Sequence, residues 1–215
     1  AAVMLSSRAI APLVQLSVLS TRYNQAKSAM LILQKIMDSP SEQEEGRQYI
    51  QHSVLSGLIE FEGVSFNYPD SEQASLRNIN LVIHPGEKVA IIGRVGAGKT
   101  TLEKLLLGLY KPQSGSIRLD GYDLAQLHPA ALRRNIGCVP QDITLFFGTI
   151  RDNIIVGHPL VDDMRVLRAA RRGGVTQFTN RDPNGLERQV GEAGRLLSGG
   201  QRQAIALARA LLTDP

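Results

Sequence analysis

The sequence predicts an α/β domain built around a phosphate-binding loop and preceded by one long helix. Three observations carry that expectation. GRVGAGKT, residues 93–100, sets G-x4-G-K-T between the apolar run KVAIIG and the helical-period segment TTLEKLLLGLY. LIEFEGVSFNY, residues 58–68, alternates apolar and polar residues as a half-buried strand does. A second glycine pair, in LLSGGQRQ at 196–203, opens another helical stretch.

The first 38 residues read as a single helical tract, kinked at Pro12, with Ala26, Met30, Leu33 and Met37 at helical spacing. Its opening twenty residues are mostly apolar but carry Arg8, Gln15 and four serines. That is short of the roughly 20 apolar residues a bilayer core requires, so hydropathy alone predicts a buried or interfacial helix. The tract ends near Asp38-Ser39-Pro40, because the residue before a proline disfavours helix. Polar, aperiodic SPSEQEEGRQ begins a linker over 39–56, and the domain boundary is placed there.

From Gly57 strand grammar takes over. Ile59 and Phe61 oppose Glu60 and Glu62, a bulge is expected at Gly63, and Leu76, Ile79, Leu81 and Ile83 continue the strand content. A buried strand at Val89–Ile92 leads into the glycine loop, and a helix starts near Lys99. SIRLDGYDL reads as a hairpin turned at Asp120-Gly121. A short helix at 129–135, a strand end in GCVPQ and a basic amphipathic helix at 162–172 follow. The last helix, 198–212, carries Ala204, Leu207, Ala208 and Leu211 on one stripe.

Composition narrows the class. With 43% hydrophobic and 20% charged residues the chain is ordinary globular material. A net charge of +4, spread without a long basic run, suits solvated helix faces and argues against nucleic acid as a partner. The single cysteine, Cys138, has no partner for a disulfide and no companion at metal spacing, which fits a reducing compartment. No secretory leader is expected from the first residues.

The loop at 93–100 has a clear physical reading. Gly93, Gly96, Ala97 and Gly98 let backbone N–H groups curl around a β-phosphate, and the following helix adds unpaired donors and the positive end of its dipole. Lys99 reaches the β- and γ-oxygens, the Thr100 hydroxyl can ligate Mg²⁺, and Thr101 sits at the α-phosphate. An accidental match lacks the strand–loop–helix setting. Ser198 by itself is an ordinary N-cap. The glycines after it are poor helix material, at near 1 kcal/mol each in a helix interior, so they call for a reason. Two such seats imply either two nucleotides or one nucleotide held by another subunit.

LSGGQRQ followed by AIALARALL, about a hundred residues after a phosphate loop, resembles the signature motif of ATP-binding-cassette (ABC) ATPases. Tyr68, 25 residues before Gly93, matches the aromatic that stacks on adenine in that family. Gln141 in VPQD matches the glutamine that reaches Mg²⁺ and the attacking water. VGEAG at 190–194 resembles the exporter loop ahead of the signature, with Glu192 at its acidic position and Ala193 where arginine is frequent. Taken alone, Tyr68 is an edge-strand aromatic, Gln141 a loop residue and Glu192 a solvated charge; it is their order around the loop that is specific.

The resemblance implies a P-loop NTPase of the ABC type, with an antiparallel β subdomain and a helical signature subdomain. It implies two copies packed head to tail as a homodimer, with Ser198, Gly199, Gly200 and Gln201 contacting the ATP held by the other copy. It assigns supporting catalytic roles to Lys99 and Gln141 and Mg²⁺ ligation to Thr100 and Gln141. The helix before the cassette resembles the last transmembrane helix and cytoplasmic extension of type I secretion exporters, where Arg8 would sit near the outer interface or face the pathway. That group sits in the bacterial inner membrane with its nucleotide-binding domain in the cytoplasm. It passes polypeptide cargo (toxins, proteases, adhesins) through a periplasmic adaptor and an outer-membrane channel. An exporter of lipid, drug or small peptide, a soluble cassette ATPase acting on nucleic acid or ribosomes, and a nucleotide-gated scaffold are the alternatives. The family's hydrophobic strand ending in Asp-Glu, its D-loop and its switch histidine are not among these 215 residues; none of His52, His84, His128 and His158 follows the signature. The chain is therefore expected to be C-terminally truncated.

Overall fold

In a computed structural model the chain divides into two compact units, Ala1–Arg47 and Gln48–Pro215. The structure describes every residue except 1, 40, 44, 45, 52–54, 70 and 72, and no side chain before residue 15. The expectations for Arg8, Pro40 and His52 fall outside the described residues. Helix α1 (Ala2–Met37) fills the first unit and continues across Pro12. It closes with Asp38 N–H donating to the Gln34 carbonyl and the Ser39 hydroxyl to that of Lys35. Met30, Leu33 and Met37 are exposed. Among the described residues no helix is long and apolar enough to cross a membrane.

The second unit begins with an antiparallel sheet. Strands β1 (Ile59–Phe66), β2 (Leu76–Ile83), β3 (Ser114–Leu119) and β4 (Tyr122–Asp123) lie in the order β2-β1-β3-β4. Ile59 faces Ile83 on one side and Leu119 on the other; Phe61 likewise faces Leu81 and Ile117. The register slips between Phe61 and Val64, so the bulge lies where Gly63 predicts it and keeps Phe61, Val64 and Phe66 all inside. Asp120 and Gly121 turn the β3–β4 hairpin with φ of 53° and 79°, the left-handed pair that a tight hairpin demands. Helix α2 (Lys99–Leu106) buries Leu105 against Phe66, Leu76 and Ile117.

Helices α3 (Pro129–Arg134), α4 (Ile150–Ile154), α5 (Asp163–Arg172), α6 (Thr176–Thr179) and α7 (Gly199–Leu211) complete the unit. Ile150, Ile154, Val166, Ala170, Val175, Ile205 and Ala208 form the core of the helical part. The predicted stripe on the last helix holds in part: Ala208 is buried and Ala204 packs against the same core, whereas Ile205 and Leu212 face inward in place of Leu207, which is 40% exposed. Gly173 at the end of α5, where a Cβ would lie 2.7 Å from the Ala208 nitrogen, lets the two helices approach closely there.

A second correction concerns Val89–Ile92, expected as a buried strand. Residues 87–94 form no strand, and Val89, Ile91 and Ile92 are 44%, 47% and 94% exposed. GCVPQ is likewise not a strand. A strand is stable only when a neighbour takes its N–H and C=O groups, and among the described residues neither segment has one. Both instead border a groove of about 440 Å³ beneath β1, β2 and α2, lined by Val89, Ile91, Leu102, Leu106 and Val139. Unpaired apolar backbone of this kind is an aggregation hazard. Residues 1–215 are accordingly expected to be poorly soluble when expressed alone. Size-exclusion chromatography checks this, and a monodisperse protein contradicts it.

Candidate functional site

The loop between Ile92 and α2 is shaped by backbone that only glycine adopts readily. Gly96 and Gly98 have φ of 82° and 84°. A Cβ on Gly98 would lie 2.6 Å from Leu76 Cδ2 and 2.7 Å from the Ser75 carbonyl oxygen, so this glycine lets the loop seat on the start of β2. Gly98 is also the N-cap of α2 and offers no side-chain cap, which leaves the first-turn N–H groups available to a ligand. The Lys99 ammonium donates to the carbonyls of Gly93 (2.9 Å) and Arg94 (2.8 Å), folding across the loop mouth. A Cβ on Gly93 would meet Ala97 at 3.3 Å, so the two ends of the loop are nearly in contact. Thr100 is exposed on the first turn and Thr101 is buried.

Tyr68 joins this group. Its hydroxyl lies 3.3 Å from that of Thr101. Its ring stands edge-on to Phe66 (5.1 Å) and Tyr110 (5.2 Å), with the Lys104 ammonium 5.4 Å from its centroid. Lys104 and Tyr110 were not anticipated from the sequence. Lys104 falls three residues after Thr101 on α2, the spacing that puts both on one side of the helix, so a signal was present.

Gln141 is exposed in the loop after 136–140. What fixes that loop is a residue the sequence reading missed. Asn153 is fully buried; its Oδ1 accepts from Phe146 N–H (2.8 Å) and its Nδ2 donates to the carbonyls of Phe146 and Thr149 (both 2.9 Å). Arg209 of α7 donates to the Asn153 carbonyl (2.8 Å) and to Oδ1 (3.2 Å). One buried amide thus ties the loop after Gln141 to the helix that carries the second glycine pair.

That helix is capped as serine predicts. Ser198 Oγ accepts from Gln201 N–H (3.3 Å), and Gln201 Oε1 accepts from Ser198 N–H (2.9 Å), a reciprocal capping box. Leu197 is buried and anchors the turn. Gly199 and Gly200 are exposed, and a Cβ at either position would meet nothing within 4 Å. Packing within this chain therefore does not require them. Glu192 is exposed, 3.7 Å from Arg195, and Ala193 is held at φ 52°, an uncommon conformation for a residue with a side chain. The structure brings Tyr68, Gly93, Lys99 and Thr101 together; among the described hydrogen bonds none joins 198–201 to that loop.

Among the described residues no three His, Cys, Asp or Glu side chains cluster as a metal site. Mg²⁺ tolerates this, since it is commonly held by substrate phosphates and one or two protein oxygens. Cys138 is occupied otherwise: its thiol donates to Glu103 Oε1 at 2.8 Å. Burial first, and then the Glu103 carboxylate, push its pKa up to about 12. Alkylation at neutral pH is accordingly expected to be more than about tenfold slower than for an ordinary thiol, because the loss of thiolate outweighs its higher intrinsic nucleophilicity. Glu103→Gln restores part of the rate; iodoacetamide kinetics followed by mass spectrometry measure both, and ordinary reactivity in the unsubstituted protein contradicts the placement.

Comparison with known proteins gives this arrangement its relatives. Residues 76–215 match the ABC transporter family. The chain is 41% identical over 212 residues to the leukotoxin translocation ATP-binding protein LktB of Mannheimia haemolytica, covering 99% of this chain and 30% of that protein. It is 45% identical over 183 residues to the ATP-dependent lipid A-core flippase of Alkalilimnicola ehrlichii, covering 84% and 30%. A bacterial Atm1-family ABC exporter solved with ATP bound superposes with a TM-score of 0.80 at 33% identity, over 95% of this chain and 36% of that one. The chain thus spans about a third of the length of these relatives. A family match over well more than half of the chain, with relatives of this kind, leads to one conclusion: the chain belongs to the ABC transporter family.

Proposed function

We propose that this chain is the ATP-binding part of an ABC exporter, comprising the end of the membrane domain (1–38), a linker (39–56) and the nucleotide-binding domain (57–215). Two copies pair head to tail, and each holds ATP and Mg²⁺ at Gly93–Thr101 while its Ser198–Gln201 turn closes on the nucleotide of the other. The observation that supports this most directly is the glycine pair at the start of α7, which faces open space and meets no atom of its own chain. A glycine without an internal reason suits close approach of an external group.

In this reading Tyr68 supplies the face against which adenine stacks, and Lys99 leaves the Gly93 and Arg94 carbonyls for the β- and γ-phosphoryl oxygens. The Thr100 hydroxyl and Gln141 would hold Mg²⁺, which when bound would supply positive charge against the phosphates. Gln141 also orients the attacking water. The part is set in the bacterial inner membrane with the cassette in the cytoplasm, and exports a polypeptide through a periplasmic adaptor and an outer-membrane channel. The coverage of 99% of the chain by a leukotoxin translocation protein supports polypeptide cargo. The flippase, at 45% identity, supports a lipid exporter as the second reading.

Deleting the gene separates them. Loss of one secreted polypeptide with unchanged envelope lipids supports the first, and altered lipid transport with an unchanged secretome supports the second. Extraction of the intact protein from membranes by alkaline carbonate would favour a soluble cassette instead.

A further inference from the structure

The Tyr68 ring is held from several directions. Strand β1 ends at Phe66, and two residues on the Tyr68 carbonyl accepts from Ser71 N–H (3.0 Å), which fixes the backbone where the ring leaves it. Phe66, which is buried, and Tyr110, which follows α2, stand nearly perpendicular to the ring, at 80° and 86°. These two also meet each other, tilted, with centroids 5.4 Å apart. Edge-to-face packing is a geometry that aromatic quadrupoles prefer, so the three rings steady one another. At its tip the Tyr68 hydroxyl shares a hydrogen bond with Thr101.

Lys104 adds a contact of another kind. It lies in the last turn of α2, one turn beyond Thr101 and on the same side of the helix. A lysine has an ordinary reason to stand there, because a cation near a helix C-terminus meets the negative end of the dipole. That reason asks only for an ammonium in water near the last carbonyls. Here the residue is half-buried and its ammonium stands over the Tyr68 ring, 5.4 Å from the centroid. Among the described residues no carboxylate forms an ion pair with it. The partner it meets is the electron-rich face of a phenol.

We propose that Lys104 is a positioning residue for the nucleotide base: by capping one face of Tyr68 it presents the opposite face to adenine and makes that face better to stack on. This rests on the reading of Tyr68 as the adenine platform given above. Two π-faces laid one on the other repel through their quadrupoles unless they are offset. A cation on the far side draws π density toward itself and relieves that repulsion, and it does so only for a ligand that carries a base. The same contact restrains the ring before nucleotide arrives, so less freedom is lost on binding. Arginine suits the position as well, since a guanidinium also sits on aromatic faces, whereas a neutral side chain of similar length does not.

The test measures, on the intact protein, how tightly ADP and pyrophosphate each displace a ribose-labelled ATP analogue. ADP carries the base, and pyrophosphate meets only the phosphate loop. Lys104→Gln is expected to weaken ADP by about three- to fivefold, the scale of one cation over a partly exposed ring, and pyrophosphate by less than about 1.5-fold. Lys104→Arg is expected to bind both as the unsubstituted protein does. In a Tyr68→Ala background, Lys104→Gln is expected to add no further loss. Unchanged ADP affinity in Lys104→Gln, equal losses of ADP and pyrophosphate, or failure of arginine to restore ADP each overturns the proposal. So does a loss that persists in full once the Tyr68 ring is gone. If Tyr68→Ala by itself leaves ADP affinity unchanged, the base does not stack there, and the platform reading falls with whatever rests on it.

Discussion

Lys99→Ala is expected to lower ATP hydrolysis by the intact protein by about a hundredfold or more, the usual scale for removing a preorganised group aimed at developing charge. The expectation follows from geometry. The ammonium is the cation that the Gly93 and Arg94 carbonyls hold over the loop mouth, at 2.9 and 2.8 Å. Alanine removes both the charge and the two bonds that curl the loop. Glycine backbone at 96 and 98 is then free to relax, so nucleotide affinity falls as well. Lys99→Arg does not rescue, because a planar guanidinium fork cannot replace a compact ammonium donating to two carbonyls in that space. Phosphate release and equilibrium binding of a fluorescent ATP analogue read the two effects separately. Hydrolysis within a few-fold of the unsubstituted protein contradicts the role.

The second large effect concerns the glycine turn. Ser198→Arg is expected to abolish hydrolysis in homodimers, since a long cation replaces the hydroxyl of the capping box and projects from a turn whose glycines otherwise leave open space. Mixing gives the sharper result. A dimer of one Lys99→Ala chain and one Ser198→Arg chain places both defects in the same composite site and leaves the other site whole. Co-purified mixed dimers are therefore expected to recover a measurable fraction of activity that neither homodimer shows. If instead each seat serves its own chain, both sites of the mixed dimer are broken and no activity returns. Differential affinity tags isolate the mixed species, and the comparison requires no knowledge of cargo.

Much of this site was legible in the sequence, for reasons particular residues show. Gly98 is required because the loop passes within contact distance of Leu76 and Ser75, and a motif whose backbone is that constrained survives as a recognisable string. The hairpin at Asp120-Gly121 was legible because two successive left-handed residues admit few alternatives. Ser198 was legible as an N-cap from its residue type and place, and the structure adds Gln201 as the other half of a capping box. The failures share one cause: they depend on partners distant in sequence. Val89–Ile92 has strand composition, but strand formation is a property of a pair, and no described segment pairs with it. On α7 the inward turn of Ile205 and Leu212 in place of Leu207 depends on helices packed from elsewhere in the chain. Asn153 and Arg209, 56 residues apart, carry no local signature of their bond. The linker over 39–56 looked free because its composition is polar; what fastens its end is Asp120, some sixty residues downstream, acting through backbone N–H groups that every residue possesses.

The account stands on nucleotide being shared between copies, and a disulfide tests this most directly. In the intact protein with Cys138→Ser, cysteines replace Val95, fully exposed at the loop, and Ser198. Oxidation with ATP and Mg²⁺ present is expected to yield a covalent dimer, and oxidation without nucleotide far less of it. Equal crosslinking in both conditions, or none with ATP bound, contradicts the shared site.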